Sequence, residues 1–353
     1  MHMQKWQQFL HNSSDSQNVD IQNDKVISFG EPASELQSAM SETVMCDLSH
    51  IGLLQLQGAD TQTFLQGQVT NDIKQLNGSN AHYTAYCNPK GRMLALFLAF
   101  SQHDHVHLQL PRELTESIAK RLKMYVMRSK VSIEDVSTSI IKFGINGHNA
   151  AELLQAIFAQ VPQDDFELVS LENGALLKLP GTTPRFEIFT DLTNAITVWS
   201  ALKVSAKPVG AACWEWLEIQ AGIPDVTLKT QEEFVPQMLN LDALNAINYK
   251  KGCYTGQEIV ARTHYLGKVK RRTQLAHIAV SINAEVTPQT GDDIHDSNKQ
   301  VIGKIVRCAP SANTGFDMLA ESRLENLEQD GIFWNDIALT IKSLPYQLES
   351  TTN

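Results

Sequence analysis

The chain has 353 residues, is 42% hydrophobic and 19% charged, and carries a formal net charge of −10. At ~100–200 residues per domain, that length predicts two or three domains with ample buried core, and the composition excludes disordered, collagen-like and coiled-coil chains. No apolar run approaches the ~18 residues of a membrane span, and Met1-His2-Met3-Gln4-Lys5-Trp6 lacks a signal-peptide core, so a cytoplasmic protein is expected.

Residues 1–44 are polar, with Asn12–Asn18 the least structured stretch, and ordered structure is expected to begin near Val44. Leu53–Gln57 reads as a strand, and Gly58-Ala59-Asp60 then opens a short helix that Asp60 can cap. Strands are expected around Tyr83–Cys87 and Met93–Phe100. A helix over Arg112–Arg128 follows Pro111, with Leu114, Ile118, Leu122 and Tyr125 as its apolar side. Ile140–Asn146 is another strand, followed by Gly147-His148-Asn149 and a helix through Phe158. This unit aligns with the one at Gly58 at an offset of 89 residues, a sign of a duplicated α+β unit. From about Val269 to Tyr346, the short segments Leu275–Val280, Val301–Val306 and Ile337–Ile341 alternate with turns, the rhythm of a small all-β barrel or sandwich.

Five cysteines, at 46, 87, 213, 253 and 308, are too scattered for a disulfide framework or a self-contained metal site. Cys253 stands apart. Thr255 and Glu258 have capping-box spacing, which predicts a helix from Gly256 toward Tyr265, with Gly267 as its stop. That places Cys253 near a helix N-terminus beside Lys250 and Lys251, surroundings that favour thiolate over thiol. His264 lacks the partners of a thiol hydrolase base and reads as a surface residue.

His103-Asp104-His105-Val106-His107 would put three histidines on one face of a strand, but its position after an apolar strand reads as a polar hairpin, so no metal site is assigned. Phosphate-cradling glycine motifs are absent. Trp214 and Trp216 fall on different faces of a helix ended by Gly222, so one can be core while the other lines a cavity. Between Lys250 and Arg272 seven Lys/Arg face one acid, Glu258, and Lys120, Arg121, Lys123, Arg128 and Lys130 form a second basic cluster. The acidic whole and the lack of any RNA-binding motif argue against direct nucleic-acid binding.

Four strings resemble one family: Gln66-Gly67-Gln68-Val69-Thr70-Asn71-Asp72, Asn88-Pro89-Lys90-Gly91-Arg92, Phe234-Val235-Pro236-Gln237-Met238-Leu239-Asn240-Leu241 and, above all, Lys250 to Glu258. With Leu344-Pro345-Tyr346-Gln347-Leu348-Glu349, they look like the YgfZ-type folate-binding proteins, relatives of the glycine-cleavage T-protein, an aminomethyltransferase. The resemblance implies an α+β fold of three domains in a ring around a central folate channel, closed by a C-terminal β-barrel. On this chain it implies a polar extension over 1–44, a folate-binding region over 45–268 whose second unit begins near 140, and a barrel over 269–349. It also implies tetrahydrofolate or a derivative as cofactor, and a role in maintaining iron–sulfur enzymes, including one that methylthiolates tRNA. A monomer is expected.

The resemblance carries the family's working cysteine to Cys253 and a folate-contacting tryptophan to Trp214, leaving Trp216 as core. A second such tryptophan would fall on Ile51 and is lost. The pterin-holding glutamate maps to Glu187 in Arg185-Phe186-Glu187-Ile188, and a pocket tyrosine to Tyr83; Asn71 and Gln237 are assigned to the same site. The T-protein's catalytic acids align with Ala95 and Leu96, which cannot take a proton, so aminomethyl transfer is not expected. Gln220 replaces a glutamate common in the family, at a position that either touches folate, where the change would alter affinity or ligand form, or is an exposed helix position where the two exchange freely. The expectation is a folate-binding accessory protein without classical turnover. The alternatives are a one-carbon transferase using another acid, such as Asp72, and an interaction module whose basic face docks an acidic protein or tRNA.

Overall fold

The computed structural model describes residues 2–13, 18–329 and 331–348; Ser14–Gln17 of the polar stretch and Glu349 of the closing string lie outside the described residues. It is a mixed α/β structure in two compact units. The first comprises the chain up to Ala59, Leu76–Ala81 and Ala99–Leu217; the second comprises Asp60–Gln75, His82–Leu98 and the chain from Glu218.

The first unit is organised by a six-stranded sheet in the order Leu168–Leu171, Gly174–Leu179, Arg185–Thr190, Ile141–Asn146, Val44–Asp47, Lys207–Val209. All pairs are antiparallel except the last. Side chains alternate between its faces. Met45, Phe143, Ile145, Phe186 and Ile188 enter the main core, with Ala195, Trp199 and Leu202 of the helix Leu192–Leu202. The opposite face carries Lys142, Gly144, Arg185, Glu187 and Phe189.

Ordered structure begins well before Val44. The helix His2–Ser13, strands Asp20–Gln22 and Lys25–Ser28, and helix Pro32–Ser41 precede it. Met3, Trp6 and Leu10 are buried in the main core, and the Trp6 indole stacks on Phe143 and meets Trp199 edge-on. Its Nε1–H donates to Asp47 Oδ1 at 2.6 Å. Mean polarity hid this helix, because three apolar residues at 3 and 4 spacing are enough to seat it.

The strand after Ile51 runs Ile51–Gln57 and pairs antiparallel with His105–Pro111 on one side and Ser132–Asp135 on the other. Asp60 and Asn149 precede six-residue helices, Thr61–Gln66 and Ala150–Gln155, with nearly the same backbone (φ −102°, ψ 5° and φ −94°, ψ 2°). Gly58 and Gly147 share positive φ, +129° and +142°. The offset pair is therefore alike in backbone, though neither cap residue makes a side-chain cap hydrogen bond and the second helix stops before Phe158. The helix after Pro111 is a 3₁₀ turn followed by Thr115–Val126; Leu114, Ile118 and Leu122 are buried, while Tyr125 faces solvent.

In the second unit, a barrel-like sheet follows the order Ile337–Ala338, Phe333–Trp334, Asp293–His295, Val301–Pro310, Phe316–Arg323, Arg271–Ile278, Thr340–Lys342. Its two outermost strands are consecutive in the chain, separated by Leu339 alone, which brings the sheet close to closure. Ile278, Ile305, Met318 and Trp334 fill its interior.

Candidate functional site

In the second unit, the four strings singled out in the sequence come together. Lys251 is buried, and its ammonium donates to the carbonyls of Val69 at 2.6 Å and Asn71 at 2.7 Å. Burial pulls its pKa down to about 8, against the pull of Asp72. Asn248 accepts from the amides of Lys250 and Lys251 through Oδ1 and donates its own amide to Thr70 O. Thr70 Oγ1 donates to Ala246 O and accepts from Ala85 N. Asn71 donates both amide hydrogens to backbone, one to Tyr83 O at 3.0 Å and one to Asn245 O at 2.8 Å.

On its other side the loop rests on Asn88–Arg92, whose turn is held by Asn88 Oδ1 accepting from Lys90 and Arg92 amides. Gly256 has φ +85°, and a Cβ there would lie 2.5 Å from Asn88 O. A Cβ on Gly91, at φ +69°, would lie 2.9 Å from Ile259 Cβ. Gln237 is fully buried and donates to Val260 O at 2.7 Å, anchoring the helix Gln257–Tyr265. Phe234 O accepts from Met93 N.

This construction presents Cys253, the exposed one of the five cysteines. Burial raises the thiols of Cys87 and Cys213 to about 12 and that of Cys46 well above its usual value, so these three stay protonated and unreactive. The Thr255–Glu258 capping box is not made. The helix begins at Gln257 after a left-handed Gly256, and Leu266 rather than Gly267 closes it. Cys253 is thus four residues ahead of the first helical residue, beyond the first turn to which a helix dipole's effect is confined. Lys251 turns inward to carbonyls. His264 stacks on the Tyr249 ring, with centroids 3.8 Å apart.

Of the seven cations in this stretch, Lys251 is buried, Arg271 pairs with Glu321 and Arg272 with Asp242; Lys250, Arg262, Lys268 and Lys270 remain exposed. Gln220 is not a free surface position. It donates to Asp317 Oδ2 at 3.2 Å, where a glutamate would set two carboxylates together. Ala95 and Leu96 are buried. Asp72 accepts from Gln66 and from the Lys74 amide.

The first unit holds Glu187 and Trp214. Glu187 is 1% exposed and accepts from Gln109 Nε2 at 2.9 Å and 3.3 Å. Lys142 lies on the same face, fully buried, and donates to Ser137 O. Burial chiefly lowers its pKa to about 8, with Asp47, Glu187 and Asp135 pulling it up and Arg112 pushing it down. The Trp214 ring lies over Gly144, where a Cβ would be 2.2 Å from it, and the Arg185 guanidinium is 5.5 Å from the ring centroid. Trp214 Nε1 is buried without a hydrogen-bond partner. Trp216 is also buried, so neither indole is exposed.

Glu187 and Trp214 thus belong to one unit, while Tyr83, Asn71, Gln237 and Cys253 belong to the other. Sequence reading missed Gln109 and Lys142. A lone lysine inside the apolar run Ile140–Phe143 was the available signal. The histidine run forms a hairpin, with His103 and Asp104 in left-handed turn conformation. Among the described residues no group of three or more His, Cys, Asp or Glu could hold a metal ion.

Residues 22–249 match the GCVT N-terminal domain family. A tRNA-modifying protein YgfZ of Enterobacter sp. is 32% identical over 90% of this chain and 98% of its own length. One from Colwellia psychrerythraea is 37% identical over 66% of this chain and 71% of its own length. The solved structure of the glycine cleavage system aminomethyltransferase T from Bartonella henselae superposes with a TM-score of 0.72 over 95% of each chain at 14% identity, which establishes a shared fold. With four of its characteristic strings packed into one cluster and this similarity along nearly the full length, the chain belongs to the YgfZ family of GCVT-domain proteins.

Proposed function

We propose that the protein is a folate-binding accessory factor in tRNA modification that supports the assembly or repair of iron–sulfur enzymes, with Cys253 as its working thiol. The observation that carries this reading is the presentation of Cys253: exposed, on a loop clamped by Lys251 and Gly256, while Cys46, Cys87 and Cys213 are buried. The names of the relatives supply tRNA modification. Ala95 and Leu96, which cannot take a proton, leave no acid where aminomethyl transfer needs one, and Asp72 is engaged by Gln66. A cytoplasmic monomer with iron–sulfur proteins as clients completes the reading.

For tetrahydrofolate, the residues present fit. Glu187 is a buried carboxylate whose neutral partner Gln109 can be exchanged for the paired N–H donors of a pterin, and Trp214 holds an unpartnered indole N–H. Glu187 and Trp214 would bind the ligand. Asn71 acts through the loop, its amide hydrogens given to Tyr83 O and Asn245 O, and Gln237 through the helix Gln257–Tyr265, donating to Val260 O and the Tyr249 hydroxyl. The folate would supply a one-carbon or reducing group.

Calorimetric titration of the reduced protein with tetrahydrofolate tests the pocket. Micromolar binding is expected, weakened about tenfold or more in Glu187→Gln and Trp214→Ala (~1.4 kcal/mol). Absence of heat in the parent protein overturns the folate assignment. Full support of cluster-enzyme activity in cells by Cys253→Ala removes the thiol role.

A further inference from the structure

In the first unit, a cavity of about 340 Å³ opens between the strands Ile51–Gln57 and His105–Pro111 and the strand Arg185–Thr190. Its volume lies at the low end of the ~300–1,000 Å³ usual for small-molecule sites, room for one ring system with a small substituent. Glu187 and Trp214 are not among the residues lining it.

Its floor is aromatic. Phe100 and Phe189 are both buried, with centroids 4.8 Å apart, and the His107 ring stacks on Phe100 at 4.9 Å and 14°. Such faces accept flat rings by stacking. Among its polar groups His107 offers an acceptor. His107 is 4% exposed, and burial, reinforced by His105 and His103, pushes its pKa down to about 4, so the imidazole is neutral. Its Nε2 lies 3.2 Å from Gln55 Oε1, a carbonyl oxygen that can only accept, so the ring proton sits on Nε2. That leaves Nδ1 a bare acceptor, buried and without a partner. The lining also includes Glu172 and Asp191, the latter's carboxylate capping the helix Leu192–Leu202 through the Thr193 and Asn194 amides, and neither lysine nor arginine.

We propose that this cavity is a second binding site, for a flat nitrogen heterocycle that carries amino groups, is neutral or cationic, and is the size of a nucleobase or nucleoside. The aromatic floor takes the ring, and an amino or ring N–H donates to His107 Nδ1. The carboxylates at the lining favour donors and repel anions. A folate, with its glutamate carboxylates, is the wrong charge for it. The site therefore stands independently of the folate reading.

The experiment is a fluorescence titration of the full chain with 2-aminopurine riboside, with purine riboside, which lacks the amino group and has no ring N–H to put in its place, as competitor. Saturable quenching at submillimolar concentration is expected, with purine riboside at least tenfold weaker. His107→Phe keeps the stack, removes the acceptor and should weaken binding tenfold or more. Glu172→Lys, at an exposed position that leaves the floor untouched, should weaken it too. Saturating tetrahydrofolate should leave the binding curve unchanged. The proposal is overturned by the absence of saturable quenching, by equal affinity in the parent and both variants, or by competitive displacement with tetrahydrofolate.

Discussion

Two glycines, one residue before and three residues after Cys253, show how tightly the site residues are specified. A Cβ on Gly252 would meet nothing within 4 Å, whereas one on Gly256 would strike Asn88 O in a backbone conformation that L residues avoid. Gly252→Ala is expected to change stability by less than ~0.5 kcal/mol, and Gly256→Ala to cost about 1–3 kcal/mol, read by urea denaturation. Equal effects would refute the clamp between the Cys253 loop and the Asn88–Arg92 turn. Lys251→Met, which leaves two buried carbonyls without their donor, should cost roughly 2 kcal/mol or more by the same measurement. At this scale the sequence was legible in kind but not in mechanism. Residue types and spacing identified the Lys250–Glu258 string, yet the expected capping box competes with a left-handed Gly256, whose need arises from contact with a turn 165 positions earlier. Gln109 was illegible for a related reason: it matters through Glu187, and only strand register brings the two together.

Among the elements, the first helix departs furthest from what its composition suggests. Polar on average, it buries Met3, Trp6 and Leu10 against the six-stranded sheet. Trp6→Ala should cost about 3–5 kcal/mol, since it opens a large cavity and also removes the donor to buried Asp47. A denaturation midpoint unchanged by this substitution would contradict the packing. Strands were easier to read than helices here because alternation and apolar runs persist over six to ten residues, as in Ile141–Asn146 and Met93–Gln102. The short helices Thr61–Gln66 and Ala150–Gln155 were found by their glycines, and only their lengths and caps differed.

For the whole molecule, buried titratable groups set the response to acid. His82 and His107 have pKa values lowered to about 4 by burial, so between pH 6.5 and 4 the unfolded chain takes up two protons that the folded chain refuses. Their contribution is complete above pH 6.5 and is lost as pH falls toward 4. Asp47 opposes them. Burial raises it to about 6, so the folded chain takes up its proton first and regains part of the loss as pH drops through 6. The net from these three groups is a destabilisation on the order of 4 kcal/mol between pH 6.5 and pH 4. Urea denaturation at several pH values should show it, and His82→Gln should have a shallower dependence; parallel curves would disprove the assignment.

The order in which the chain visits its two units also governs its birth. Segments Asp60–Gln75 and His82–Leu98 belong with material that starts only at Glu218, so neither unit is a continuous stretch that one cut could release. At ~5–20 residues per second, a ribosome takes on the order of ten seconds to reach Glu218 after delivering Leu98. Throughout that interval, the main-chain groups of Met93 wait for Glu232 and Phe234, the hydrogen-bond partners they will take in the second unit. Completion of the second unit therefore waits on the chain from Glu218 onward, long after its first segments have been made.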